Sequence, residues 1–247
     1  MRGKRLGTTV ATTLGVLLGG VGVVLAVSGL VNGSFESNGG VGTTTFTGWT
    51  EVEFGPGAWF VQSGTTPPLG GPSVPAPPDG LFAAMTNEGD PSAMVLYQDF
   101  TVPPSATLRC DIFIRNDASD FVVPSPDTLD PTGDPNQHAR IDIMQTSAGP
   151  FDLGSAVLQN LFITNPGDNG NYSAYQTITA SLSGFAGQTV RLRFAVADNE
   201  SELIMGVDNC ALVTPGPSAP AMRMPGLAAL VVGLLILAYS RLRRGAA

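Results

Sequence analysis

Twenty carboxylates, two cysteines and one histidine are the side chains of this 247-residue chain best suited to chemistry, and their spacing limits what that chemistry can be. A Ser/His/acid site would have to use His138, and no GxSxG or equivalent elbow accompanies any serine. One histidine and two widely separated cysteines give no zinc-site spacing. A carboxylate pair for glycoside cleavage could hide among so many acids, but abundance places no two of them around one bond. The chain reads as non-catalytic, with a secreted carbohydrate-active enzyme and a purely structural matrix or coat component as the alternatives.

Charge narrows the partners. All twenty acids fall between Glu36 and Asp208, against five arginines and no lysine in that span, a balance of −15. Such a surface repels phosphate backbones and anionic lipid, which excludes nucleic acid. Divalent cations and neutral polymers suit it, and simple solvation is the plainer use of most of these charges. Cys110 and Cys210 lie within the same span. In an oxidising compartment they would form one disulfide closing a loop of about 100 residues, worth up to ~4–5 kcal/mol by chain entropy. Two buried free thiols are the alternative.

The two ends point to export. MRGKR at 1–5 precedes an apolar run from Leu6 to Leu30, and Ala26-Val27-Ser28 closes it with small residues. Residues 1–28 therefore read as a signal peptide for signal peptidase, with an uncleaved anchor as the alternative. Residues 215–224 are a flexible linker of Pro, Gly, Ser and Ala. Residues 225–247 are apolar to Ser240 and continue into RLRR at 241–244. Sixteen helical residues reach about 24 Å, short of the ~30 Å hydrocarbon layer, so this is a short terminal membrane helix. Both apolar runs carry positive charge on their outer flanks, the positive-inside arrangement for a chain whose middle is translocated.

That middle, 29–214, has no helical periodicity. TLRCDIFIR turns Leu108, Cys110, Ile112 and Ile114 one way, and TVRLRFAVAD does the same with Val190, Leu192, Phe194 and Val196. LVNGSF, GWTEVEF, AWFVQS, LFAAM, MVLYQDFTV, ARIDIM, VLQNLFIT, YQTITASL and MGVDNCALV are further strand candidates, punctuated as in an all-β sandwich. A proline-rich loop at 62–80 and an aspartate-rich loop at 116–137 interrupt them. In PNQHARIDI, Asn136, Gln137 and Arg140 form a polar cluster able to hold the loop or a ligand, with structural roles favoured and His138 expected on an exposed loop.

NGSFE at 32–36, GWT at 48–50 and GVDNCALV at 206–213 resemble the galactose-binding-like jelly roll, a fold of many carbohydrate-binding modules and bacterial surface ectodomains. The resemblance covers roughly 30–214. It implies a jelly-roll β-sandwich whose first and last strands lie together and share a structural calcium. Carried over by position, its carboxylates are Glu36 and Asp208; in the alternative reading Glu36 bonds local backbone N–H groups and Asp208 shapes a turn. It also implies sugar stacking on an exposed aromatic. Trp49 belongs to the core-like GW element, which leaves Trp59, beside the proline-rich loop, as the better platform, with packing beneath that loop as its other reading. Tyr97, Tyr172 and Tyr175 offer no pattern to choose among them. The tail resembles PEP-CTERM sorting signals, which imply an exosortase- or rhomboid-type protease, although MPG stands in place of Pro-Glu-Pro; a permanent anchor is the alternative. Together these readings suggest a non-catalytic surface protein associating with extracellular polysaccharide.

Overall fold

Period-two alternation builds two antiparallel sheets that share one core. The computed structural model describes residues 25–26, 29–87 and 91–215. The rest of the expected signal peptide, residues 216–224 of the linker and the sorting segment 225–247 lie outside them. The strands are β1 (Leu25–Ala26), β2 (Thr50–Phe54), β3 (Ala58–Gln62), β4 (Ala83–Asn87), β5 (Ser92–Thr101), β6 (Thr107–Asn116), β7 (Gln137–Met144), β8 (Val157–Ile163), β9 (Gln176–Ser181), β10 (Thr189–Asp198) and β11 (Leu203–Thr214). One sheet runs β3-β4-β11-β6-β9, with β1 beside the end of β11; the other runs β2-β5-β10-β7-β8. Removing β1, β2 and β3 leaves β4-β11-β6-β9 facing β5-β10-β7-β8, the doubled Greek key of a jelly roll. Among the described residues no helix is long and apolar enough to cross a membrane.

The inward sets are those the alternation predicts. Leu108, Cys110, Ile112 and Ile114 of β6 meet Val190, Leu192, Phe194 and Val196 of β10 in one buried cluster. An aromatic chain runs through it: Phe46 on Phe35, Phe35 on Trp49, Trp49 on Phe194 and Phe194 on Trp59, with centroids 5.2–6.3 Å apart. Trp49 also donates its indole N–H to the Asn32 carbonyl at 3.1 Å. The platform reading of Trp59 fails on its packing: the side chain is fully buried and alternates with buried Val61 on β3.

LVNGSF is not a strand. Asn32 and Phe35 adopt left-handed backbone angles, φ 53° and 55°. The Asn32 side chain holds this turn by bonding Ser37 and the Thr47 carbonyl. Gly33 passes so close to β11 that a Cβ would lie 2.0 Å from the Cys210 carbonyl oxygen. The segment still touches β11, through Cys210 N–H donating to the Gly33 carbonyl at 2.8 Å. β1 was not expected either; Leu25 and Ala26 pair with Thr214 and Val213.

β11 carries a bulge between Asp208 and Ala211, opposite Cys110 of β6. The bulge sets Cys210 beside Cys110, Cα–Cα 4.1 Å, and the two form a disulfide across 100 residues of sequence. Because the link restricts so long a loop in the unfolded chain, replacing both cysteines by alanine is expected to cost about 2–5 kcal/mol. Urea unfolding of the double variant checks this, and an unchanged midpoint would contradict it.

Candidate functional site

From Arg191 onward the outward residues of β10 do not meet solvent. Arg191 and Arg193 project from the outer face of the five-stranded sheet, and the segment between β7 and β8 folds over them. Arg191 donates to the carbonyls of Ala148 (2.8 Å) and Thr146 (3.0 Å), and Arg193 to those of Pro150 and Asp152 (2.8 Å each). Each guanidinium also has an acid. Arg191 grips Asp99 at 2.7 and 3.2 Å and lies 4.0 Å over the Tyr97 ring. Arg193 grips Asp142 at 2.6 and 3.2 Å.

Asp142 is the hub. Fully buried on β7, it takes Arg193 on one oxygen, Arg140 on both (2.8 and 3.0 Å) and the Asn160 amide at 2.9 Å. Burial alone would raise its pKa, but the Arg140 hydrogen bond and the two guanidinium charges outweigh that and hold it below its ordinary value. Arg140 extends the chain of charge to Asp127 of the aspartate-rich loop.

The same loop is fastened by amides. Asn136, fully buried, donates to the carbonyls of Thr128 (2.9 Å) and Asp130 (3.0 Å). Asn199 donates to those of Pro131 and Asp134, and Gln137 binds Asn116 and Ser201. Leu129 sits in an apolar patch with Val95, Ala195 and Ala197. His138, expected on an exposed loop, is instead fully buried on β7, because the loop closes over that face. With the Asn136 amide nitrogen committed to two carbonyls, its oxygen accepts from His138 Nδ1–H at 2.8 Å. Burial pulls the imidazole down to about 4, so it is neutral at pH 7.

These fastenings frame a cleft of about 300 Å³. Phe54, 50% exposed at the end of edge strand β2, and half-buried Phe151 line it, with Leu129 as its apolar lining and Thr128, Asp130 and Thr132 supplying polar groups. Asp130 already accepts from the backbone N–H and hydroxyl of Thr132, which holds its pKa below the ordinary value. Asn136 and Arg140 therefore stand behind the cleft and position its walls, while Gln137 ties Asn116 to Ser201 away from it. Phe54 and Phe151 escaped the sequence reading, although alternation along β2 already sets Phe54 on the outward side with Val52.

Glu36 and Asp208 come to one place at the other sheet. Glu36 accepts from the backbone N–H groups of Leu81 and Phe82 at 2.9 Å each. Asp208, fully buried, accepts from those of Asp79 (3.0 Å) and Asn209 (2.6 Å). Both carboxylates thus grip the end of the proline-rich loop. Burial first, then the charges of Asp79 and Glu36, push Asp208 up to about 7.

No protein-family model and no curated protein matches the chain. Several solved structures are similar to it at low identity. The carbohydrate-binding module TmCBM61, solved with β-1,4-galactotriose, is 10% identical over 74% of this chain and 95% of its own, with a TM-score of 0.42. An adhesin domain of Lys-gingipain from Porphyromonas gingivalis is 10% identical over 79% of this chain and 100% of its own, with a TM-score of 0.45. A domain of tailspike protein 4 from bacteriophage CBA120 is 13% identical at a TM-score of 0.42, and the match spans 21% of that chain. Likeness at these values concerns architecture and says nothing of a ligand.

Replacing Asp142 by alanine leaves two buried guanidinium groups without their common partner, at an expected cost of about 3–5 kcal/mol. Because its folded pKa is lowered, the stabilisation is present above the ordinary value of 3.8 and is lost as pH falls through the folded value. Urea midpoints at pH 7 and pH 3 should therefore differ more in the parent protein than in Asp142→Ala.

Proposed function

We propose that this chain is a non-catalytic, exported surface protein that holds neutral polysaccharide in the cleft between Phe54 and Phe151. The observation that carries the reading is a cleft with an exposed aromatic edge whose two framing loops are fixed from behind by buried charge. The apolar C–H face of a pyranose suits an aromatic ring, while its hydroxyls suit Asp130, Thr128 and Thr132. About 300 Å³ lies at the lower end of small-ligand sites and suits one ring of a longer polymer. The negative balance of the domain disfavours polyanions. Loops held in place before binding reduce the ordering cost of association.

Export is supported by the disulfide and by the basic flanks of both terminal apolar runs. In this reading signal peptidase handles residues 1–28, and the terminal helix holds the chain at the membrane until an exosortase- or rhomboid-type protease processes the tail. A screen of neutral polysaccharides by gel retention tests the cleft. Phe54→Ala should weaken retention about tenfold, equivalent to ~1.4 kcal/mol of lost contact. Retention that ignores this change overturns the assignment, and turnover of a retained glycan would make the protein an enzyme.

We also propose a structural calcium beside Glu36 and Asp208. Support comes from a carboxylate raised by burial and, to a smaller extent, by the charges of Asp79 and Glu36, which a cation would offset. No three metal-ligating side chains converge there or elsewhere among the described residues, so most of the six to eight oxygens would be backbone and water. In chelator, the raised Asp208 binds its proton more tightly when folded, so stability should fall as pH rises from about 4 through 7. Glu51, raised to about 8 by burial and by Glu53, adds to that fall, and Asp208→Asn removes only the first part. Calcium at 100 times its Kd should restore about 2.7 kcal/mol at pH 7.5. A Tm indifferent to calcium and chelator rules the ion out.

A further inference from the structure

The outer face of the six-stranded sheet repeats the same design. Phe113 and Arg115 project outward from β6, and the proline-rich loop lies across them. Val74 of that loop is buried against Met85, Phe113 and Ile204. Arg115 donates to the Pro72 carbonyl at 2.9 Å and pairs with Glu202 and Asp117. On the other side Tyr172 N–H donates to the Ile114 carbonyl at 3.0 Å, and Tyr175 packs on Phe113 with centroids 5.9 Å apart. Between the two segments opens a cleft of about 420 Å³, lined among others by Ser73, Asn171, half-buried Tyr172 and Ser173. It offers the rings of Tyr172 and Phe113, three hydroxyls and an amide, with no carboxylate in its lining; the one charge there, the Arg115 guanidinium, is already paired with Glu202 and Asp117. This is the chemistry of a neutral, hydroxyl-rich ligand.

The two clefts open on opposite sides of the sandwich. One is lined by Leu129, which packs over Val95, Ala195 and Ala197 of the five-stranded sheet; the other is lined by Phe113 of the six-stranded sheet. Two sheets stacked about 10 Å apart lie between them, so one straight polymer chain cannot occupy both. We propose that the cleft beside Tyr172 is a second site for neutral glycan and that the protein is bivalent, cross-linking two polysaccharide chains. The proposal rests on the reading of the Phe54 cleft as a glycan site. Joining two chains through one rigid domain converts weak single contacts into avidity across a matrix.

The test uses full-length protein in detergent with galactan, dextran and arabinoxylan, each as long polymer and as trisaccharide. For whichever probe is retained, titration should give two trisaccharides per protein, and the long polymer should gain viscosity with a maximum at intermediate protein ratio. Phe54→Ala and Tyr172→Ala should each leave one equivalent and abolish the viscosity gain, and the double variant should leave none. Ser173→Trp, which fills the second cleft from an exposed position, should repeat the effect of Tyr172→Ala without touching the core. One equivalent in the parent protein, with no viscosity gain, overturns bivalency and leaves the first site standing. A second equivalent that survives both Tyr172→Ala and Ser173→Trp overturns this placement. Absence of binding to every probe overturns both readings.

Discussion

The arrangement of the five-stranded sheet's outer face depends on one carboxylate buried between two guanidinium groups. Asp142 lies on β7 between Arg140 of its own strand and Arg193 of β10. A buried ion pair of this kind adds little net stability over an apolar substitute, because desolvation offsets most of the attraction. What it supplies here is directional. Each arginine has donors left over once Asp142 is satisfied, and they reach loops that no strand pairing could hold. Arg193 secures two carbonyls after β7, and Arg140 secures Asp127 before it.

The six-stranded sheet achieves a comparable result with different parts. Arg115 holds the middle of the proline-rich loop, while Glu36 and Asp208 hold its end through backbone N–H groups. Long segments without regular structure are therefore fixed on both outer faces. Inward residues make a conventional apolar core, and outward residues make a second layer of polar fastening. The clefts are the gaps that this second layer leaves.

Much of the first layer was legible. TLRCDIFIR and TVRLRFAVAD became β6 and β10 with the expected faces, because alternation reports directly which side an apolar core takes. LVNGSF failed because Asn32 and Phe35 take left-handed turns, which an apolar count does not register. Trp59 could have been placed from its alternation with Val61, but its nearness to the loop outweighed that signal. The second layer was hidden for a different reason. Alternation says that His138, Arg140 and Arg193 leave the core, yet it cannot say whether the loop before β7 will fold back over the first two and the segment after β7 over the third. Likewise Asn136, Gln137 and Arg140 could be recognised as a cluster, while their roles depend on distant residues: Asn199 for Asn136, Asn116 and Ser201 for Gln137, and the Asp142 that Arg140 shares with Arg193.

All five arginines of the sandwich are bound in ion pairs, and four of them retain no more than 8% side-chain exposure. The one lysine of the chain, Lys4, precedes the described residues. Trypsin-like proteases need a basic side chain and several residues of pliable backbone around it, and the folded sandwich offers neither together. Arg109, the most accessible at 38%, sits within the ladder of β6. A scaffold exposed to foreign hydrolases for long periods would gain durability from concealing its cations in this way.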